Sequence, residues 1–106
     1  MAVVNIIVSR HSAFYSPLIS AIASGFLAEE GLEPNYEAAS PGRTSWQALL
    51  DESADVAQIA VSASWGPLER GENHDLVHFA QINARDGFFL VARNPDPDFT
   101  WDKLGS

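Results

Sequence analysis

The chain has 106 residues, 46% of them apolar and 19% charged, with a formal net charge of −8 and no cysteine. That length supports one small domain with its own core, and the acidic balance argues against a surface built to neutralise phosphates, so no nucleic-acid partner is expected. The lack of cysteine excludes disulfides, thiolate nucleophiles and thiolate metal sites, and no apolar run is long enough to span a membrane.

Residues 3–8 are a nearly continuous, β-branched apolar run, the pattern of a strand buried on both faces. Residues 9–14 break that pattern. Leu18, Ile19, Ile22, Ala23, Phe26 and Leu27 then recur at three- and four-residue intervals, which predicts one amphipathic helix over 17–30. Ser16 suits its N-cap, Pro17 its first helical position and Gly31 its C′ position, with Leu18, Ile22, Phe26 and Leu27 expected in the core. Residues 33–38 read as a second strand, and Ala39-Ser40-Pro41-Gly42 as a turn. Thr44 or Ser45 caps a second helix, expected to bury Trp46, Leu49 and Leu50. Residues 55–60 are a third strand, and Ser62 or Ser64 opens a third helix that Gly71 stops. Residues 75–83 predict a fourth strand. A turn over 84–87 follows, where Asp86-Gly87 is a hairpin signal, and then a fifth, antiparallel strand over 88–92. Residues 94–98 form a proline-interrupted loop, and Thr100 caps a last turn that holds Trp101 and Leu104.

This alternation predicts an α/β fold, a mostly parallel sheet with helices on both faces, in one domain over 1–106. An α+β sandwich is the competing architecture. Ligands of open parallel sheets bind beyond the carboxyl ends of the strands. The loops there hold Ser9, Arg10, His11 and Phe14 after the first strand, and Ser40, Gly42, Arg43 and Thr44 after the second. Val61, Ser62 and Ser64 follow the third, and Asn83 and Arg85 the fourth.

Arg10, Arg43 and Arg85 are three of only six basic side chains, and their forks match carboxylate, sulfonate or phosphate oxygens, so an anionic ligand is one expectation. Pairing with the fourteen acidic residues is the competing reading. His11 suits a ligand hydrogen bond or acid–base work, but no nucleophile or carboxylate stands at a diagnostic spacing, so an ordinary polar loop residue competes. Phe14 and Tyr15 suit a pocket wall or the core, while Trp46 and Trp65 fit helix faces and read as core. His74 and His78 fall on a predicted strand and assign no metal. No Walker loop or GxGxxG is present, and no cofactor is expected.

Five stretches carry a resemblance in chain order: His11-Ser12-Ala13-Phe14-Tyr15, the run from Gly25 to Pro34, the run from Leu49 to Val56, Phe88-Phe89-Leu90-Val91-Ala92-Arg93, and Trp101-Asp102-Lys103-Leu104-Gly105. Together they resemble type 2 periplasmic binding proteins, in particular the NMT1/THI5-like and nitrate/sulfonate/taurine group of ABC-transporter solute receptors. The resemblance implies a two-lobed receptor that closes on a small organic anion or heterocycle, with an ABC-transporter permease as partner and an extracytoplasmic location. It implies that Ser9, His11, Phe14, Ser40, Gly42, Arg43, Val61 and Ser62 contact ligand. The residues at the start of the chain lack a signal peptide's basic and apolar regions, which leaves a cytoplasmic location open. The family continues into a second lobe beyond the position of Ser106, so this stretch is expected to be part of a first lobe, with weak binding or self-association when alone. Pyrimidine-precursor synthases and desulfinases resemble the same group and supply an enzyme alternative, but the forms that use cysteine find none here.

Overall fold

β1 (Ala2–Val8) is the centre of a three-stranded, all-parallel sheet, flanked by β2 (Leu32–Ala38) and β3 (Val56–Gln58) in the order β2-β1-β3. The computed structural model describes residues 1–85 and 89–105. β1 pairs with β2 from Ala2–Leu32 to Val8–Ala38, and with β3 from Ile6–Val56 to Val8–Gln58. The doubly paired stretch Ile6-Ile7-Val8 is therefore the most buried part of the chain, at 3%, 0% and 0% exposure.

The first crossover is two helices, not the single helix its spacing predicts. α1 (Ser16–Ala23) ends at Ser24, and α2 (Phe26–Glu29) starts after Gly25. Gly25 has φ +80°, a left-handed conformation that only glycine adopts without steric cost, and it turns the chain between the two segments. The bend takes Phe26 off the shared apolar stripe and leaves it 59% exposed, while Leu18, Ile19, Ile22 and Leu27 stay half-buried. Ser16 is not the N-cap. It already has helical dihedrals, and its hydroxyl donates to the Ala13 carbonyl of a short 3-10 turn over Ala13–Tyr15.

α3 (Ser45–Leu50) starts where its sequence says it should. Thr44 Oγ1 accepts from Gln47 N at 3.2 Å, and Thr44 N donates back to Gln47 Oε1 at 3.1 Å, a complete capping box. Its buried side differs from the expected one. Ser45 and Ala48 are buried, Trp46 and Leu49 half-buried, and Leu50 is 49% exposed. Small side chains let the helix approach the sheet closely, and Ile7, Ala48 and Ala54 form the core there with Ala39, Leu49 and Ala57 against them. On the opposite sheet face, Ile19 and Ile22 of α1 lie beside Tyr36, the neighbour of Ile6 on β2. The sheet thus carries helices on both faces, and the strand order reverses at β1.

Polar groups tie the three strands together. Asp55 Oδ2 accepts from Asn5 N at 2.8 Å and Asn5 Nδ2 at 3.2 Å, and Asn35 Nδ2 donates to Asn5 Oδ1 at 2.9 Å. A 3-10 turn (Val61–Ser64) and α4 (Trp65–Glu69) follow β3, and Gly71 ends them with φ +68°. Trp65 is not core: it is 61% exposed.

Residues 72–83 form no strand, and neither do the described residues 89–92, so the fourth and fifth strands are absent there. Asp86-Gly87 and Phe88 lie outside the described residues. The cause is the lack of a partner. β3 pairs over three residues with β1, and its outer edge meets no ladder among the described residues. An apolar run on its own cannot satisfy its backbone groups or cover both faces. Val77 and Phe79 are accordingly 79% and 77% exposed. The radius of gyration is 17.7 Å, against roughly 13 Å for a compact domain of about this size. The last turn does form, as a 3-10 helix over Trp101–Gly105, where Lys103 Nζ binds Asp96 Oδ2 at 2.9 Å and the Asp98 carbonyl at 3.0 Å.

Candidate functional site

The carboxyl ends of all three strands open into one cleft of about 550 Å³. Ser9 comes from the end of β1. Ala39, Ser40 and Pro41 come from the loop after β2, and Thr44, Ser45 and Trp46 from the start of α3. Ile59, Ala60, Ser62 and Ala63 come from the segment after β3. This is the edge at which the strand order reverses, where successive crossovers leave toward opposite faces and hold a crevice open.

The lining is hydroxyl-rich and uncharged. Five serine or threonine side chains and one indole face small apolar residues, with no Arg, Lys, Asp, Glu or His among them. Ser45 is 5% exposed, and its Oγ has no hydrogen-bond partner among the described residues. A buried hydroxyl without a partner costs about 1–3 kcal/mol, and Ser45 Oγ lies beneath the cleft wall, not on its open surface.

The residues singled out by sequence divide into three groups. Ser9, Ser40 and Ser62 line the cleft. Gly42 and Val61 shape its loops without lining it. Gly42 sits in the tight turn closed by Ser40 N to Arg43 O at 3.1 Å and Arg43 N to Ser40 O at 3.0 Å, and Val61 accepts the Ser64 hydroxyl at 2.9 Å. His11, Phe14 and the arginines lie outside the lining. His11 Nδ1 is 3.0 Å from the Tyr36 hydroxyl, beside a small apolar hollow formed with Ile19, Ile22 and Ala23 of α1. Phe14 packs edge-on against Tyr15 at 5.3 Å.

Arg43 turns to the far end of α3, where it binds Glu37 and donates to Ser53 Oγ at 2.7 Å. The same cluster holds Asp51, whose carboxyl is kept below the ordinary range first by the Ser53 hydroxyl, then by the Ser53 N–H, with the Arg43 charge adding to them. Arg10 and Arg85 are exposed. The three arginines therefore do not converge on one anion. Arg43 is committed by proximity to an acidic partner that the loop position alone did not reveal.

Thr44, placed by sequence in the loop after the second strand, lines the cleft as well; Ser45 and Trp46 fit a cap and a helix face by sequence, and position at a helix start beyond a strand end is the signal that places them in the cleft. Asn83 reaches the same edge. Gln58 Nε2 donates to its Oδ1 at 2.9 Å, and its Nδ2 donates to the Phe14 carbonyl at 3.4 Å. Among the described residues no group of His, Asp and Glu could hold a metal ion.

No family model matches the chain, and no solved structure matches it. The chain is 36% identical over 94 residues to "Putative binding protein YtlA" of Bacillus subtilis (strain 168), a match that covers 89% of this chain and 28% of that protein, so the chain spans less than a third of the curated relative's length.

Proposed function

We propose that the chain is part of the first lobe of a type 2 solute-binding receptor, of the NMT1/THI5-like and nitrate/sulfonate/taurine group, and that it takes a small, uncharged heterocycle into the cleft at its strand ends. The observation that carries this reading is the cleft itself. Three separate strand ends supply Ser9, Ser40 and Ser62 to one concavity, beside the indole of Trp46. A flat ring stacks on an indole, and hydroxyls donate to and accept from ring nitrogens and exocyclic groups. An anion would need a cation or several N–H donors aimed at it, and the lining holds no cationic side chain.

The name of the Bacillus subtilis relative supports a binding role for the stretch they share. Within this reading, the exposed side chains of Val77, Phe79, Ile82, Phe89, Leu90 and Val91 form the surface that a second lobe covers, and an ABC-transporter permease receives the solute. Thermal melting with a panel of uncharged heterocycles, and with nitrate and alkyl sulfonates, tests it. A heterocycle at about ten times its Kd stabilises by about 1.4 kcal/mol, which is several degrees for a domain of this size. A shift with sulfonates and none with heterocycles contradicts the proposal.

A further inference from the structure

Asn83 belongs to a segment without secondary structure, yet its side-chain amide reaches two separate strand ends. Its Oδ1 accepts from Gln58 Nε2 at 2.9 Å, and its Nδ2 donates to the Phe14 carbonyl at 3.4 Å, across 25 and 69 positions of sequence. Its own carbonyl accepts from Gln81 Nε2 at 3.2 Å, which braces the backbone that presents the amide. The Phe14 carbonyl decides which way both amides point. Turned over, Asn83 would set its oxygen against the Phe14 oxygen, two acceptors with no proton between them. Nδ2 therefore faces Phe14 and Oδ1 faces Gln58. Gln58 must then offer its Nε2, and its Oε1 is left buried without a partner among the described residues.

The two ends joined in this way flank the cleft. Gln58 is the last residue of β3, directly before Ile59 and Ala60 of the lining. Phe14 closes the loop that starts with Ser9 at the end of β1 and leads into α1. Val8 and Gln58 are the last ladder pair between β1 and β3. Beyond that pair, no other side-chain hydrogen bond joins residues 9–16 to residues 58–64 among the described residues. We infer that Asn83 is a positioning residue, whose amide fixes the loop after β1 against the end of β3 and so holds the mouth of the cleft in shape.

The consequence for solute affinity rests on the reading of the cleft as the binding site, but the positioning itself is tested without a solute. The chain has no cysteine, so two introduced ones take spin labels without competition. Arg10→Cys and Val61→Cys place the labels on exposed positions of the two segments, and double electron–electron resonance reads the distribution of distances between them. Asn83→Asp keeps an acceptor for Gln58 Nε2 but sets an oxygen against the Phe14 carbonyl. It is expected to broaden the distribution by about twofold as the loop samples local openings, while the urea midpoint stays at the parent value. Gln58→Met is close in volume and removes the donor to Asn83. It is expected to broaden the distribution equally, and the two substitutions together no more than either alone, because each breaks the same bridge. An amide that only adds stability would lower the urea midpoint and leave the distribution unchanged. That result, or broadening that adds up in the double variant, overturns the inference. Failure of this test leaves the proposed ligand class standing, and failure of the melting panel leaves the positioning standing.

Discussion

Residues 2–71 hold every strand and α-helix among the described residues, whereas 72–105 contribute a single 3-10 turn at Trp101–Gly105. The two regions do not differ in apolar supply. Val77, Phe79, Ile82, Phe89, Leu90 and Val91 are as strand-compatible as Val3, Val4, Ile6 and Ile7, yet Ile7 is 0% exposed and Val91 is 91% exposed. The difference is partnership. Over Ile6–Val8, β1 has a strand on each side and a helix on each face, so its backbone groups and both rows of side chains are covered at once. The later segment meets one short edge, held by side-chain contacts such as Gln58 to Asn83. Apolar sequence becomes a strand only where neighbours satisfy both its hydrogen bonds and its faces.

The sharpest way to break this contrast is to cut one apolar side chain from each region. Ile7→Ala leaves a cavity between the sheet and α3 and is expected to cost about 2–5 kcal/mol, whereas Phe89→Ala should stay within about 0.5 kcal/mol because its side chain is already in solvent. Urea melts of both variants measure the two values. Equal losses would mean that the later region is packed as tightly as the sheet.

A smaller effect separates local from tertiary support inside the first region. Thr44→Ala removes the side-chain half of the capping box and is expected to cost about 1 kcal/mol. The same denaturation experiment checks it, and a loss comparable to that of Ile7→Ala would make the cap, not the core, the main anchor of α3.

The smallest effect is electrostatic. The Asp51 carboxyl is held low by its bonds from Ser53, so its contribution is present at neutral pH and is lost as pH falls through its depressed folded value. Because the group is exposed, the change should be slight. Asp51→Asn is expected to flatten the acid limb of the stability profile by that small amount and leave stability at pH 7 nearly unchanged. A large change at pH 7 would show that the cluster with Arg43 bears more of the fold than its exposure implies.

Much of the first region was legible from residue order. The β-branched run gives β1, Thr44 with Gln47 gives the start of α3, and the left-handed glycines at 31 and 71 mark the ends of the elements before them. Gly25 was the exception. Its neighbours share a helical stripe, so spacing alone joined two segments that a left-handed residue divides. The late strands were misread for a different reason: periodicity registers what a segment can bury, not whether a neighbour is there to bury it.

The site was partly legible in the same sense. Strand-end position found Ser9, Ser40 and Ser62, because topology alone brings those loops together. It misplaced Arg43, whose direction depends on Glu37 and Ser53, and it put Ser45 at the helix cap and Trp46 on a helix face, not in the cleft that both line.

The central claim is that the hydroxyl-lined cleft is where a solute binds, and Ser62→Trp tests it most directly. Ser62 is exposed and belongs to a turn, so an indole there fills the cleft without entering the core. Melting curves are recorded for the parent and variant proteins with the heterocycle that stabilises the parent. The cleft being the site, the parent rises by several degrees, the size expected for about 1 kcal/mol in a domain of this length, and the variant does not rise. An equal rise in both proteins would place the solute elsewhere and contradict the claim.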